Sequence, residues 1–269
     1  MIVVGVDGSR AGLEAAAWAA AEAELRHVPL LIAHAMTRWA VETGDGRLAD
    51  VAAWMREGGR SVLQAARERA GRDRPEADVE TTLLAGDPRE ALIAAGRDAE
   101  LLVIGSHGIG GVRGMLVGSV AHGVAGRAPC DVVLVREVPS SPRQEIVAGV
   151  DGSETSARVL DFAFAEARLR GCRVRAVHAW NWPGPFDDAE RTVLADLLAG
   201  PRERHPGVPV IEETVHAHPV EALRQAATGA ELLVAGSRGR GTLAGMVLGS
   251  VSQALLQHAP CPLAVVRSP

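Results

Sequence analysis

The chain repeats itself, and this repeat limits its fold more than any other feature. The tripeptide Asp7-Gly8-Ser9 returns 144 residues later as Asp151-Gly152-Ser153. A glycine motif of the form G-x2-G-x9-G-S begins at Gly105 and returns 131 residues later at Gly236. Such units are much longer than solenoid or propeller repeats and have the size of ordinary globular domains. The sequence therefore predicts two domains of one fold.

The two halves are joined by a short stretch rich in proline and serine, which is typical of a linker. We place the first domain at residues 1–138, the linker at 139–144 and the second domain at 145–269. The second half is thirteen residues shorter, because the two repeat distances are 144 and 131 residues. The missing residues fall between the second strand and the third helix of the second domain.

Each half alternates short apolar runs with longer amphipathic segments, the pattern of strands and helices in α/β proteins. The first run, residues 2–6, is continuously apolar, as in a parallel strand that is covered on both faces. Right-handed crossovers then favour two open five-stranded parallel sheets with strand order 3-2-1-4-5 and helices on both faces. Ser9 and Asp87 are expected to cap helices. A bend or break is expected at Gly58-Gly59.

Ligands of such sheets bind at the carboxyl ends of the strands, where the strand order reverses. In the first domain this point lies between the strand that ends at Asp7 and the strand that ends at Gly105. Asp151 and Gly236 take the same places in the second domain. A glycine-rich turn before a helix lets backbone amides approach an anion, so the motif predicts a phosphate site. Arg113, Arg238 and Arg240 are candidate charges near the phosphates.

Composition excludes several classes of function. The net charge of −5 and the pI near 6.0 argue against nucleic acid as a partner. The chain contains no lysine, which excludes the lysine of a P-loop and Schiff-base chemistry. No apolar run is long enough to span a membrane, and because the chain enters a strand at once, we expect no signal peptide. The three cysteines form no CxxC motif, so we expect reduced thiols and a cytoplasmic location.

Several of these residues have a simpler structural interpretation. Asp7 and Asp151 could only brace their turns. Serines 119 and 250 could be ordinary helix caps. His34 and its repeat His178 fit packed histidines at a strand end better than ligands, and no third partner accompanies His216 and His218 for a zinc site. Neither a general base nor a nucleophile with its partner is visible at a suitable spacing, so fast chemistry is not expected.

Four short segments together resemble the universal stress protein family. They are Val-Asp-Gly-Ser after the first strand, His-Ala at the end of the second strand, Gly-Asp-Pro before the third helix, and G-x2-G-x9-G-[ST] before the fourth helix. The resemblance covers both halves and therefore nearly the whole chain. Within this family the last motif marks the members that bind ATP, and both copies of it are complete here.

The resemblance implies one ATP in each domain, accompanied by Mg²⁺. In the first domain the implied binding residues are Asp7, Ala35, Gly105, His107, Gly108, Gly118, Ser119 and Val120. In the second domain they are Asp151, Ala179, Gly236, Arg238, Gly239, Gly249, Ser250, Val251 and Ser252. Family members often carry a hydroxyl residue at the position of Ser252, where the first domain has Ala121. The two sites are therefore expected to differ in affinity.

The function implied is a regulatory nucleotide-binding module in stress response or growth arrest, with slow hydrolysis of ATP or none. Two other hypotheses stay open at this point, an enzyme of a related α/β fold that adenylates a substrate, and an interaction protein without nucleotide. The resemblance further implies that the two domains pack through their fifth strands as an intramolecular pseudo-dimer. Homodimerisation and the identity of protein partners are left open.

Overall fold

The computed structural model describes residues 1–108, 117–136, 138–181, 188–240 and 247–268. The chain divides into two compact units, Met1–Arg136 and Glu137–Pro269. Each unit is an α/β domain with a parallel sheet, as the sequence predicts. The way in which the two units pack on each other stays a prediction.

In the first unit, strands and helices alternate along the chain, and a short helix precedes the long third helix. A 3-10 turn, Gly96–Asp98, leads into the fourth strand. The elements are β1 (Ile2–Gly5), α1 (Arg10–Arg26), β2 (Leu30–Met36), α2 (Arg38–Glu42), α3 (Ala49–Asp73), β3 (Val79–Ala85), α4 (Pro88–Ala95), β4 (Leu101–Gly105), α5 (Ser119–Arg127) and β5 (Asp131–Val135).

The second unit repeats this order, with one shorter helix where the first unit has α2 and α3. The elements are β6 (Glu145–Val150), α6 (Glu154–Arg170), β7 (Arg173–Trp180), α7 (Asp188–Arg204), β8 (Val210–His216), α8 (Pro219–Ala227), β9 (Leu232–Gly236), α9 (Ser250–His258) and β10 (Leu263–Val266).

Within each unit the strands are parallel and follow the predicted order. In the first unit β1 pairs with β2 on one side and with β4 on the other, so the order is β3-β2-β1-β4-β5. In the second unit β6 takes the central place, and the order is β8-β7-β6-β9-β10. Ile2, Val3 and Val4 are fully buried because helices cover both faces of the sheet. The order reverses beside β1 and β6, where the sequence places the sites.

The predicted helix caps of the first unit are confirmed. The Ser9 hydroxyl accepts a hydrogen bond from the Gly12 amide at 3.1 Å, at the start of α1. The Asp87 carboxylate accepts one from the Arg89 amide at 2.9 Å, at the start of α4. The Arg89 side chain also pairs with Asp87 and lowers the pKa of that carboxyl to about 2.

A break at Gly58-Gly59, one of the two predicted possibilities, is wrong, because α3 is continuous through both glycines. Gly59 is buried, and a Cβ there would lie 2.8 Å from Leu83 Cδ2 and 3.3 Å from His34 Cδ2. The missing side chain lets α3 lie close to the sheet, so tertiary packing outweighs the low helix propensity of glycine. The short helix α2 lies between β2 and the long helix α3.

Candidate functional site

The first unit has a cavity of about 650 Å³ at the carboxyl ends of its strands. All of the first domain's predicted binding residues line it. Its wall also contains apolar groups from β1, β4 and α4. The lining residues are Gly5, Val6, Asp7, Gly12, Ala33, His34, Ala35, Pro88, Leu92, Ile104, Gly105, His107, Gly108, Val117, Gly118, Ser119, Val120 and Ala121.

The second unit has a cavity of about 400 Å³ in the same place, and the structure again brings together all residues predicted for that domain. Ser156 and two arginines lie in its wall. The lining residues are Gly149, Val150, Asp151, Ser153, Thr155, Ser156, Val159, Val177, Ala179, Pro219, Leu223, Ala235, Gly236, Arg238, Gly239, Arg240, Gly249, Ser250, Val251 and Ser252.

The carboxylate after the first strand lies against the glycine turn after the fourth strand in both units. A Cβ at Gly108 would lie 2.5 Å from Asp7 Oδ2, so the carboxylate would have to move away. A Cβ at Gly239 would meet Asp151 Oδ2 in the same way. The second glycine of G-x2-G therefore lets the turn lie close to the carboxylate in its present position. The two repeated motifs face each other across one crevice, as the predicted strand order requires.

Each of these carboxylates also braces its own turn. Asp7 Oδ1 accepts a hydrogen bond from the Ser9 amide at 3.0 Å, and Asp151 Oδ1 accepts one from the Ser153 amide at 3.0 Å. Gly8, with φ of +85°, supplies the left-handed conformation that the turn needs. The two carboxylates therefore brace their turns, which is the structural role considered in the sequence analysis. Both residues also lie in the cavity walls.

Asp151 has further partners in the second unit. The Ser156 hydroxyl donates to Asp151 Oδ1 at 3.0 Å, and the Arg240 amide donates to Oδ2 at 2.7 Å. Burial alone would raise the pKa of this carboxyl. The hydrogen bonds from Ser153, Arg240 and Ser156 outweigh burial and lower its pKa, because they stabilise the ionised form. Asp151 is consequently a carboxylate at neutral pH.

The helices α5 and α9 begin at the cavities of their units without a side-chain cap. Gly118 and Gly249 are the N-cap residues, and neither helix start has a side-chain cap hydrogen bond. The interpretation of Ser119 and Ser250 as helix caps is wrong, because both are the first residues inside their helices. The backbone N–H groups of an uncapped first turn carry partial positive charge and attract an anion.

Neither the backbone conformation nor packing explains the glycine at these two helix starts. Gly118 has φ of −57° and Gly249 has φ of −69°, which any residue adopts. A Cβ at either position would meet described protein atoms no closer than 3.5 Å, an ordinary contact. Gly105 differs, since a Cβ there would lie 2.7 Å from the backbone carbon of Ala11. Packing therefore explains Gly105, whereas it leaves Gly118 and Gly249 unexplained.

His107 presents a polar atom in the wall of the first cavity. Its Nδ1 lies 2.8 Å from the Ser106 hydroxyl, while its Nε2 is buried and has no hydrogen-bond partner among the described residues. Burial, and secondly the charge of Arg136, lower the pKa of this imidazole. The ring is therefore neutral at pH 7. When Ser106 donates to Nδ1, Nε2 carries the proton.

Positive charge is distributed unequally between the two cavities. Arg238 and Arg240 both line the second cavity. The Arg240 guanidinium lies directly over Gly152, where an added Cβ would meet it. Among the described residues that line the first cavity there is no arginine. Arg113, the charge predicted for the first domain, lies outside the described residues.

The strand-end histidines have structural partners. His34 Nδ1 lies 2.8 Å from the Val6 carbonyl, and His178 Nδ1 lies 3.0 Å from the Val150 carbonyl. These bonds tie the second strand of each unit to the end of the first and hold Ala35 and Ala179 at the cavity. His178 is buried, as expected for a packed histidine. His34 also contributes to the first cavity's wall, which the sequence analysis did not predict.

Ser252 is engaged within the protein. Its hydroxyl donates to the Gly236 carbonyl and ties the start of α9 to the end of β9. That proton is thus already engaged with a protein carbonyl. The structure gives the hydroxyl an internal role that the resemblance did not imply.

The sequence analysis missed the apolar part of each cavity. A Cβ at Gly5 would lie 2.7 Å from Leu92 Cδ1, and one at Gly149 would lie 2.8 Å from Leu223 Cδ1. These glycines let Leu92 of α4 lie against β1 and Leu223 of α8 lie against β6. The signal was available, because Gly-Val-Asp occurs at the end of the first strand in both repeats.

Two kinds of feature are absent from the part of the chain that the structure describes. No group of three histidine, cysteine or carboxylate side chains there is arranged to hold a metal ion. No helix in that part has both the length and the apolar character that a bilayer crossing requires.

Comparison with protein families supports the resemblance seen in the sequence. The model of the universal stress protein family matches twice, over residues 1–136 and 142–267. Universal stress protein Rv2005c of Mycobacterium tuberculosis is 35% identical and is aligned over 99% of this chain and 96% of its own length. Universal stress protein Rv2623 of the same organism is 36% identical, with the same coverage.

Solved structures show the same fold. A universal stress protein from Archaeoglobus fulgidus superimposes with a TM-score of 0.76 at 20% identity and covers 99% of this chain and 98% of its own. A protein from Pseudomonas aeruginosa described as a putative universal stress protein superimposes with a TM-score of 0.62 at 16% identity. That match covers 99% and 92% of the two chains.

Proposed function

Because the chain belongs to the universal stress protein family, we propose that each of its two domains, residues 1–138 and 145–269, binds one molecule of ATP. The bound nucleotide makes the protein a regulatory module of stress response or growth arrest, with slow hydrolysis or none. The proposal includes a cytoplasmic location, which the three free cysteines support.

The observation that carries this proposal is the pair of helix starts at Gly118 and Gly249. Each lies in a cavity wall at the switch point of its sheet, has no side-chain cap and carries a glycine whose added Cβ would make only ordinary contacts with the described residues. A phosphate group that approaches the first turn of the helix would occupy the space of the missing Cβ and accept hydrogen bonds from the free amides.

The remaining wall fits the other parts of a nucleotide. Val6, Ile104 and Leu92 give the first cavity an apolar side suited to a base, and Val150, Ala235 and Leu223 do so in the second. The carboxylates of Asp7 and Asp151 can accept hydrogen bonds from the hydroxyl groups of a ribose. Arg238 lines the second cavity and is a further donor toward the sugar or the phosphates, and His107 lies in the wall of the first cavity.

Mg²⁺ would bind mainly to the nucleotide. Among the described lining residues each cavity has one carboxylate, which is too few for a dedicated protein site, and Mg²⁺ commonly keeps waters and binds through substrate phosphates. When bound, the ion neutralises phosphate charge, which helps a site without lysine.

The carboxylates are poor candidates for a general base. Both oxygens of Asp151 accept hydrogen bonds, which lower its pKa and its tendency to take a proton. Asp7 is held by the Ser9 amide in the matching turn. These contacts support a binding role for the sites, with hydrolysis slow at most.

Isothermal titration calorimetry with ATP tests the proposal. We expect two sites in the native protein, one site in each of Gly118→Val and Gly249→Val, and no binding in the double variant. Both substitutions should leave the fold intact, because an added Cβ makes only ordinary protein contacts. Gly207→Val is the matched control, since Gly207 has open space around it and does not line either cavity. Unchanged affinity in the double variant would rule the proposal out.

A further inference from the structure

Two residues that follow β10, Arg267 and Ser268, are bonded to the segments that form the second cavity. We call them the β10 extension. The Ser268 amide donates to the Ser237 hydroxyl at 3.1 Å, and the Ser268 and Ser237 hydroxyls lie 3.4 Å apart. The Ser268 hydroxyl also lies 3.0 Å from the hydroxyl of Thr155, in the first turn of α6. Ser268 therefore joins the glycine turn after β9 to the start of α6.

The three hydroxyl groups form a network that is largely shielded from solvent. Ser237 and Thr155 are buried, with 2% and 5% of their surface exposed. Buried hydroxyl groups normally have a hydrogen-bond partner, and Ser268 supplies one to both. Arg158 of α6 donates to the Arg267 carbonyl at 2.6 Å and so holds the β10 extension on the same helix.

Ser237 connects this network to the cavity. Its amide donates to the Val266 carbonyl at 2.7 Å, and its carbonyl accepts from the Gly249 amide at 2.8 Å. Gly249 is the N-cap of α9, Arg238 follows Ser237 directly in the chain, and both Gly249 and Arg238 line the second cavity. Because its amide, carbonyl and hydroxyl groups are all bonded within the protein, Ser237 sets where the glycine turn lies relative to the start of α9.

The first unit holds its glycine turn in another way. Ser106 takes the place of Ser237, and its hydroxyl lies 2.8 Å from Nδ1 of the neighbouring His107. Ala11 takes the place of Thr155 and has no hydroxyl group. The first unit therefore cannot form the same network of three hydroxyls, and the network distinguishes the second cavity from the first.

We propose that Ser268 is a positioning residue of the second cavity, which acts through Ser237 to hold the glycine turn in place for the phosphates of a nucleotide. This inference rests on the proposed ATP site. The phosphates would contact Arg238 and the amides at the start of α9, whereas the base and the ribose would contact the apolar wall and Asp151. Loss of the Ser268 hydroxyl should therefore affect the phosphates and spare the nucleoside.

Calorimetry in the Gly118→Val background, where only the second site remains, tests this role. Ser268→Ala should weaken ATP binding roughly fivefold, because the network loses the hydroxyl that joins the other two. Adenosine affinity should change far less, since adenosine has no phosphates. Ser268→Thr keeps a hydroxyl group and should bind ATP as the parent does. A general loss of structure would lower both affinities.

The first site is the internal control for this experiment. In the Gly249→Val background, where only the first site remains, Ser268→Ala should leave the ATP affinity unchanged. Ser140→Ala is the matched control for removal of a hydroxyl group, because Ser140 is exposed in the linker and should affect neither site.

Hydrogen exchange of the nucleotide-free protein, followed by NMR, tests the positioning of the turn separately from ATP. Ser268→Ala should speed the exchange of the Ser237 amide roughly fivefold, because the turn opens more often. The Ser106 amide of the first unit should keep its native rate. If the native protein bound no ATP, the proposed function would fail, whereas faster exchange at Ser237 would still support the positioning role.

Three results would overturn the proposal. The first is a native ATP affinity in Ser268→Ala at the second site, and the second is an equal loss of ATP and adenosine affinity there. The third is an unchanged exchange rate of the Ser237 amide, which would show that Ser268 does not hold the turn.

Discussion

The two cavities have the same backbone framework and differ in the side chains that line them. The first measures about 650 Å³ and the second about 400 Å³. In the second, Ser156 stands where the first has Gly12, and the Arg240 guanidinium lies over the Asp151 turn. Both units keep the glycine approach to the carboxylate. The glycine skeleton thus sets where a ligand can lie, and the side chains around it set how much room and charge it finds.

The opposite ends of the two sheets differ even more. In the second unit Glu145, at the start of β6, is fully buried and forms ion pairs with Arg173 at 2.8 Å, Arg175 at 2.9 Å and Arg143 at 3.3 Å. The first unit has Leu31 in place of Arg175 and an apolar strand start. The same fold therefore tolerates either apolar side chains or a cluster of ion pairs at this end of the sheet, provided that every buried charge is paired.

Removal of the buried carboxylate should give the largest effect. Glu145→Ala leaves Arg175 half-buried with one partner, Glu213, and should lower the free energy of unfolding of the second unit by about 3 kcal/mol. Urea denaturation followed by circular dichroism measures it. Leu31→Ala is the control in the first unit and should leave the second unit's transition unchanged. A decrease in the free energy of unfolding below about 1 kcal/mol would show that the Glu145 ion pairs are dispensable.

Loss of the hydroxyl of Ser156 should have the next largest effect. This hydroxyl accepts from the amides of Asp151 and Gly152 at 3.2 and 3.1 Å and donates to the Asp151 carboxylate. Ser156→Ala leaves these buried groups without that partner, so the free energy of unfolding should fall by about 2 kcal/mol. Ser250→Ala, at an exposed position of the same cavity, should change it by less than about 0.5 kcal/mol. Equal effects of the two substitutions would contradict the assigned role of Ser156.

The third expectation concerns charge in the cavities and assumes the proposed ATP sites. In Gly118→Val only the second site remains, and in Gly249→Val only the first. We expect the second site to lose ATP affinity more steeply with added salt, because arginines contribute to it. Arg238→Ala in the Gly118→Val background should weaken ATP by roughly tenfold and adenosine far less. Calorimetry at two salt concentrations measures this difference. Identical salt dependence of the two ATP affinities would contradict a larger contribution of charge in the second site.

The smallest expected effect is on acid stability. Burial would raise the pKa of Glu145, but hydrogen bonds from Arg175 and Arg173 outweigh it and lower that pKa. A lowered pKa means that the stabilisation is present above the ordinary glutamate value of 4.5 and is lost as pH falls through the folded-state value. The native second unit should therefore lose stability in this range, whereas Glu145→Gln should show a flatter profile. Parallel profiles in urea titrations at successive pH values would contradict this.

Much of the fold could be predicted from the sequence because the repeat and the apolar strand pattern are local signals. The strand order and the placement of Asp7 near Gly108 agree with the structure. The continuous α3 could not be predicted, because Gly59 is explained by its contacts with Leu83 and His34, which are distant in sequence. The repeated Gly-Val-Asp was a signal for the apolar wall, but its partner Leu92 lies beside Gly5 only in the folded unit.

The sequence by itself determined that this chain contains two copies of one α/β domain, with a carboxylate and a glycine turn placed at each switch point. Residue spacing carries that information, because strands, turns and helix starts are set by neighbours along the chain. Only the tertiary structure decided which glycines serve packing and which leave space for a ligand, and that Ser252 bonds within the protein. These outcomes depend on distances between segments far apart in sequence, and those distances exist only once the domain has packed.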